Sequence, residues 1–199
     1  MAKGEVAADK KGARREGATL VFVDESGFSE RPSVRRSWAP KGQTPVVELP
    51  FNWKRLSAIG AISTDPDGQQ ARLFLSLRTG NVDSEISINF LRNLRRHIRG
   101  KIVLLWDRLP AHRSKRVEAF VDEHCHWLQM EFLPPYAPEL NPVEGIWAYL
   151  GATDLANYSA DGLDDLASTV HRGKRRLRRK HNSGRCYLKH SGLFPNLSL

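Results

Sequence analysis

Apolar positions along this 199-residue chain fall into two kinds of block. Near-continuous runs of Val, Leu, Ile and Phe bounded by Gly, Pro or acid read as buried strands, and runs with apolar residues three and four apart read as helices. "ATLVFVDES" (18–26) is the first such strand, and it ends in acid. "KRLSAIGAIS" (54–63), the turn "TDPDGQ" and "QARLFLSL" predict a β-hairpin. In "VDSEISINFLRNLRRHIRG" the residues Ile86, Phe90, Leu91, Leu94 and Ile98 recur at helical spacing, with Asp83 or Ser84 to cap the start and Gly100 the end. "KIVLLWD" is a second buried strand, closed by Asp107. "SKRVEAFVDEHC" predicts a helix with Ser114 as N-cap and Val117, Phe120 and Val121 turned inward. "WLQMEFL" predicts a further strand, and a helix follows from Pro142. "DGLDDLASTVHRGKRRLRRK" then sets Leu163, Leu166 and Val170 on one face of a last helix.

Two stretches lack such a pattern. Residues 1–17 are polar and basic and read as a flexible lead-in, which leaves 18–199 as one domain. "GFSERPSVRRSWAPKGQTPVVELPFNW" is punctuated by Gly and Pro and predicts loops around short strands. The order of elements argues for an α/β fold, a mixed sheet flanked by helices. An RNase H-like sheet, an antiparallel meander followed by parallel strands, is one such arrangement, and pattern alone does not select it from its rivals.

Charge sharpens the picture. Thirty-one Lys and Arg against twenty-two Asp and Glu give a net charge of +9 and a pI near 9.9. That excess points to a polyanion, most often nucleic acid, although a basic surface also keeps a protein soluble. No apolar run approaches the roughly 18 residues that span a bilayer, and the start has no hydrophobic signal region. A soluble, intracellular protein is expected. Cys125 and Cys186 form no disulfide framework.

Three carboxylates then stand out. Asp24 closes one buried strand and Asp107 another; acids are costly to bury, so each is either a turn residue or part of a site. Ends of neighbouring parallel strands bring side chains into one crevice. Glu144 follows the stiff "LPPYAPELNP", and it has an alternative role. With Asn141 as N-cap and Pro142 at the first helical position, Glu144 completes something close to a capping box. A carboxylate in the first turn of a helix entered through prolines is also held with little freedom, as a metal ligand requires. Three carboxylates without a Cys or His cluster suit Mg²⁺, and two such ions roughly 3.5–4 Å apart suit phosphoryl transfer on a nucleic-acid backbone.

"LPPYAPELNPVEGIW" resembles the third-acid motif of mariner-like DDE transposases, in the bacterial insertion-sequence branch called the IS-six-thirty group. "FVDESGF" is similar to the first-acid motif, "RRSWAPKGQTP" to the block after it, and "LLWDRLPAHRS" to the second-acid motif with its His, here His112. "LANYSADGLDDL" and "YLKHSGL" resemble the family's C-terminal end, so the likeness runs from about residue 18 to 195. The resemblance implies an RNase H-like fold and catalytic, metal-holding acids at Asp24, Asp107 and Glu144, with Asp24 bridging two Mg²⁺ ions that Mn²⁺ can replace. It also implies metal-dependent cleavage at element ends and strand transfer into target DNA; the family tends toward TA targets, but the sequence does not settle the preference of this chain. The partners would be double-stranded DNA and a second copy of the chain, in the bacterial cytoplasm at the nucleoid. Relatives carry helix-turn-helix modules ahead of this domain. Starting at its basic lead-in, the chain reads as a truncated copy or the second frame of a split element, with recognition left to a separate chain. The alternatives are a structure-specific nuclease of the same fold, or a catalytically silent DNA-binding remnant or regulator.

The remaining candidates carry bland readings beside the sharp ones. Arg108 stands where many relatives have Asn; it would contact phosphate or simply be solvated. His112 would orient a phosphate or hold the loop after Asp107. Glu25 adjoins Asp24 but points to the opposite face of the strand. His124, Cys125 and His126 lack a second pair of ligands for zinc. Trp38 and Trp53 would stack on bases or, as the better expectation, pack over the core. "RGKRRLRRK" has seven basic residues in nine, namely Arg172, Lys174, Arg175, Arg176, Arg178, Arg179 and Lys180. These are expected to contact the DNA backbone.

Overall fold

The computed structural model describes residues 2–48, 54–180 and 183–198. Five strands form one sheet in the order β3-β2-β1-β4-β5. The strands are β1 (Thr19–Ser29), β2 (Arg55–Thr64), β3 (Arg72–Thr79), β4 (Ile102–Trp106) and β5 (Leu128–Phe132). β1, β2 and β3 pair antiparallel, while β4 and β5 add in parallel beyond β1. This is the RNase H-like mixed sheet, with helices on both faces.

Side-chain alternation builds the two faces. Leu20 and Phe22 of β1, Ala58 and Ile62 of β2, and Val103 and Leu105 of β4 meet the helices α1 (Ala2–Glu16), α4 (Glu144–Ala152), α5 (Leu163–Arg179) and α6 (Ser183–His190). Val21 and Val23, Ile59 and Ala61, and Leu104 and Trp106 meet α2 (Ser84–His97) and α3 (Lys115–Glu123) on the other face. β4 is covered on both sides, which explains its unbroken apolar run. Asp83 caps α2 by accepting a hydrogen bond from the Ile86 amide, and Ser114 caps α3 through the Val117 amide. The hairpin turn closes at Gly68, whose φ of +80° only a glycine adopts freely.

Three expectations need correction. Residues 2–16 form a helix rather than a flexible lead-in. Val6 and Ala13, two turns apart, are buried in the core, and Lys10 Nζ donates to the Leu193 carbonyl at 2.6 Å while lying over the Phe194 ring. The segment is mostly polar and charged, which leaves almost no apolar periodicity to read. Between residues 30 and 48 there is no strand, only an isolated bridge from Ser33 to Ala156. Asn141 does not act as the N-cap of α4, because the chain makes a short 3₁₀ turn at Pro138–Leu140 and the helix begins at Glu144. Asn141 is instead buried, accepting from the Val143 amide and donating to the Val23 carbonyl at 3.0 Å. It thereby ties the proline segment to β1.

Candidate active site

β1 and β4 pair in parallel as far as Phe22 and Leu105, and Asp24 and Asp107 each lie two residues further on. Equal continuation past a common ladder puts both carboxylates just beyond the end of the β1–β4 pairing, on the face shared with α4. Asp24 does not close its strand as expected, because β1 runs on to Ser29 in its pairing with β2. The α4 helix delivers Glu144 in its first turn. The three acids act on one another. The Asp24 carboxyl is pushed up to about 7, chiefly by burial; the hydrogen bond from Trp147 opposes this, and the charges of Glu144, Glu25 and Asp107 add to it. Burial and the Asp107 charge likewise raise Glu144.

Each acid is supported differently. Asp24 is 8 % exposed, and its Oδ2 accepts from the Trp147 indole N–H at 2.6 Å. Asp107 accepts from the Leu109 amide at 3.1 Å, and its Oδ1 lies 2.6 Å from His112 Nδ1. Glu144 is exposed and, among the described residues, receives no hydrogen bond, so the capping-box reading is not what the structure shows. A carboxylate with open oxygens beside two others is the donor chemistry of a hard divalent cation.

His112 is held inside the fold. It is 1 % exposed, stacks on Trp106 with ring centroids 3.7 Å apart, and bridges to the far face of the sheet. There Glu25 Oε1 lies 3.2 Å from Nε2, close enough for an ion pair but without the geometry of a directed hydrogen bond. Burial alone would lower the imidazole; its contacts with Asp107 and Glu25 outweigh that and raise it to about 9. Glu25, Asp107 and His112 present ligand atoms within 4.8 Å of one another, the one such grouping among the described residues. Both ring nitrogens already face carboxylates, so a positively charged imidazole fills the position a cation would take there. Sequence reading placed Glu25 on the opposite face but did not foresee this triad, and Trp147 was missed altogether. The signal for Trp147 was its place three residues after Glu144, one turn along the same helix.

The basic candidates divide. Arg108 Nε donates to the Leu133 carbonyl at 3.3 Å, tying the end of β4 to that of β5. Within "RGKRRLRRK", Lys174 and Arg178 donate to the Leu75 and Leu73 carbonyls of the edge strand β3, each at 2.8 Å. They protect that edge from pairing with other chains. Arg176 pairs with buried Asp154, and Arg172 donates to Thr169. Arg175, Arg179 and Lys180 are exposed. Arg179 and Lys180 join Arg72, Arg178 and Arg185 around a hollow of about 710 Å³ that has no carboxylate in its lining. Trp38 is fully exposed rather than packed on the core, because nothing in its loop forms an element that could fold it back. Trp53 lies outside the described residues. His124 stacks on Phe120, and Cys125 is exposed and free, with no zinc grouping around them among the described residues.

The model of the DDE superfamily endonuclease family matches residues 19–167, and the chain belongs to that family. Its fold is that of the Mos1 mariner transposase catalytic domain. Over 98 % of this chain it superposes on the Mos1 paired-end complex with left transposon end, with a TM-score of 0.65 and 18 % identity. The strand transfer complex of Mos1 gives 0.64 at 17 % identity, and the isolated Mos1 catalytic domain 0.56 at 16 %. The chain spans 57 % of the Mos1 chain in the paired-end complex and 86 % of the isolated catalytic domain. Mos1 paired-end complexes are also known with Mg and with Mn. Comparison with curated proteins gives no match. No helix among the described residues is long and apolar enough to cross a membrane.

Proposed function

We propose that this chain is the catalytic domain of a transposase that cuts DNA and joins strands with the help of divalent cations. The observation that carries the reading is that Asp24, Asp107 and Glu144 lie near enough to feel one another's charge, beyond the β1–β4 pairing, in a member of the DDE endonuclease family. Asp24, Asp107 and Glu144 would hold Mg²⁺, or Mn²⁺ in its place. When bound, a pair of such ions stabilises the attacking and leaving oxygens of an in-line displacement at phosphorus. The chain's own residues set the acids for that task. Trp147 fixes Asp24, and His112 with the Leu109 amide fixes Asp107. Entry through prolines and the 3₁₀ turn fixes the start of α4. Burial and mutual repulsion raise Asp24 and Glu144 above the ordinary carboxylate range, which favours a cation beside them.

The proposed substrates are transposon-end and target DNA, handled by two copies of the chain, with end recognition supplied by another module or chain. The motifs quoted above support placement in the mariner-like bacterial insertion-sequence branch. Nicking of supercoiled plasmid with Mg²⁺ or Mn²⁺ tests the reading, run beside Asp107→Ala and Glu144→Ala. Metal-dependent nicking lost in both variants is expected. DNA binding without nicking under any condition would replace this reading with a silent DNA-binding role, and products that never include joined strands would favour a nuclease.

A further inference from the structure

We infer that Trp147 is a positioning residue of the cation site, and that Gly60 exists to give it room. The inference rests on the carboxylate-site reading above. Asp24 and Gly60 face each other across the β1–β2 ladder, so their side-chain positions share one face of the sheet. The Trp147 ring lies directly on Gly60. A Cβ there would sit 2.6 Å from Cη2 and 2.8 Å from Cζ2, closer than carbon atoms pack. Phe28 braces the ring edge-on, with centroids 5.9 Å apart. Held this way, the indole N–H meets Asp24 Oδ2 at 2.6 Å in a buried setting.

An indole nitrogen only donates, so this bond fixes the Asp24 rotamer without offering a ligand of its own. Among the described residues Oδ1 has no hydrogen-bond donor, and it is the oxygen left most open to a cation. Trp147 and Glu144 lie three residues apart on α4, the spacing that places side chains on neighbouring turns of one face. The helix that supplies the third carboxylate therefore also clamps the first. Docking of α4 on the sheet and assembly of the cation site become one event. Bonds of this outer kind usually change metal affinity 10- to 100-fold when removed.

Mn²⁺ binding, followed by the paramagnetic resonance of the free ion, tests this in the wild-type chain, Trp147→Phe and Asp24→Asn. Trp147→Phe keeps an aromatic ring over Gly60 and loses only the donor and part of the ring's bulk. Its Mn²⁺ midpoint is expected to rise about tenfold, with a cooperative thermal transition retained in the absence of metal. A folded Trp147→Phe with an unchanged midpoint overturns the inference, because a merely structural role would lower melting temperature and leave metal binding alone. Should that variant fail to fold, the ¹⁵N-indole signal of Trp147 in the wild-type chain decides. The signal is expected to move with the Mg²⁺ midpoint; a fixed signal while Mg²⁺ saturates overturns the inference. The underlying reading fails separately. It falls if Asp24→Asn binds Mn²⁺ as tightly as wild type, or if wild type binds none, and the inference falls with it.

Discussion

Asp24, in the middle of β1, and Asp107, just past the end of β4, lie equally far beyond the β1–β4 ladder, yet they are built into the fold from opposite sides. Asp24 is held by Trp147, a neutral donor from the α4 face, and remains a buried acid among acids. Asp107 is held by His112, a cation stacked on Trp106 against the α3 face and balanced there by Glu25. One carboxylate is left short of positive charge, and the other is supplied with it from within the protein. The difference teaches where an added cation is most needed: on the α4 face, where Asp24 and the open Glu144 lie.

This asymmetry is measurable as pH-dependent stability in metal-free protein. Asp24 is raised from 3.8 to about 7, so between those values the folded state binds more protons than the unfolded one. Stability is therefore lost as pH rises through that window, and a shift of about three pH units corresponds to on the order of 4 kcal/mol. In EDTA, Asp24→Asn is expected to melt higher than wild type at pH 8 and to lose that advantage near pH 4. Equal melting temperatures at pH 8 would mean that Asp24 is not strained, and the contrast with Asp107 would collapse.

His112 gives the complementary step. Its folded value of about 9 lies above the ordinary 6.5, so the stability it adds is fully present below 6.5 and is lost as pH rises through about 9. The shift corresponds to roughly 3 kcal/mol. Metal-free protein should thus weaken in two stages, the lower owed to Asp24 and the upper to His112. Thermal melts of His112→Gln should lack the upper stage and start from lower stability at pH 6, since Glu25 then stays buried without its cation. An upper stage that survives in His112→Gln would assign it to another group.

The strands and the central helices were legible because their apolar residues bury on one or two faces at a fixed period. The carboxylates were legible as chemistry closing apolar runs, and the family motifs ordered them. What pattern could not carry was contact between distant residues. The Trp147 bond to Asp24 joins α4 to β1, and the Glu25–His112–Asp107 chain crosses from one face of the sheet to the other. The α1 helix escaped because its sequence is mostly polar and charged, and α6 because its eight residues carry too short a repeat to stand out. The basic run shows a related limit. A charge pattern shows where cations are dense, but not that Lys174 and Arg178 already serve the backbone of an edge strand.

The smallest expected effects test whether the more exposed surroundings of Asp107 make it the DNA-holding side. Arg108 follows Asp107 directly, but its Nε is engaged by the Leu133 carbonyl. Arg179 and Lys180 are exposed and border a hollow without carboxylates. Each lost phosphate contact lowers the slope of log affinity against log salt by about 0.9 on duplex DNA. Anisotropy titrations over a salt series should therefore show little change of slope for Arg108→Asn. The double change Arg179→Ala with Lys180→Ala is expected to lower the slope by about 2, with thermal stability nearly unchanged because neither side chain supports the fold. The reverse ranking would move the DNA path to the Asp107 side and make Arg108 a substrate contact. Equal small changes in all three positions would instead describe a diffuse field, in which net charge rather than any one groove draws DNA to the acids.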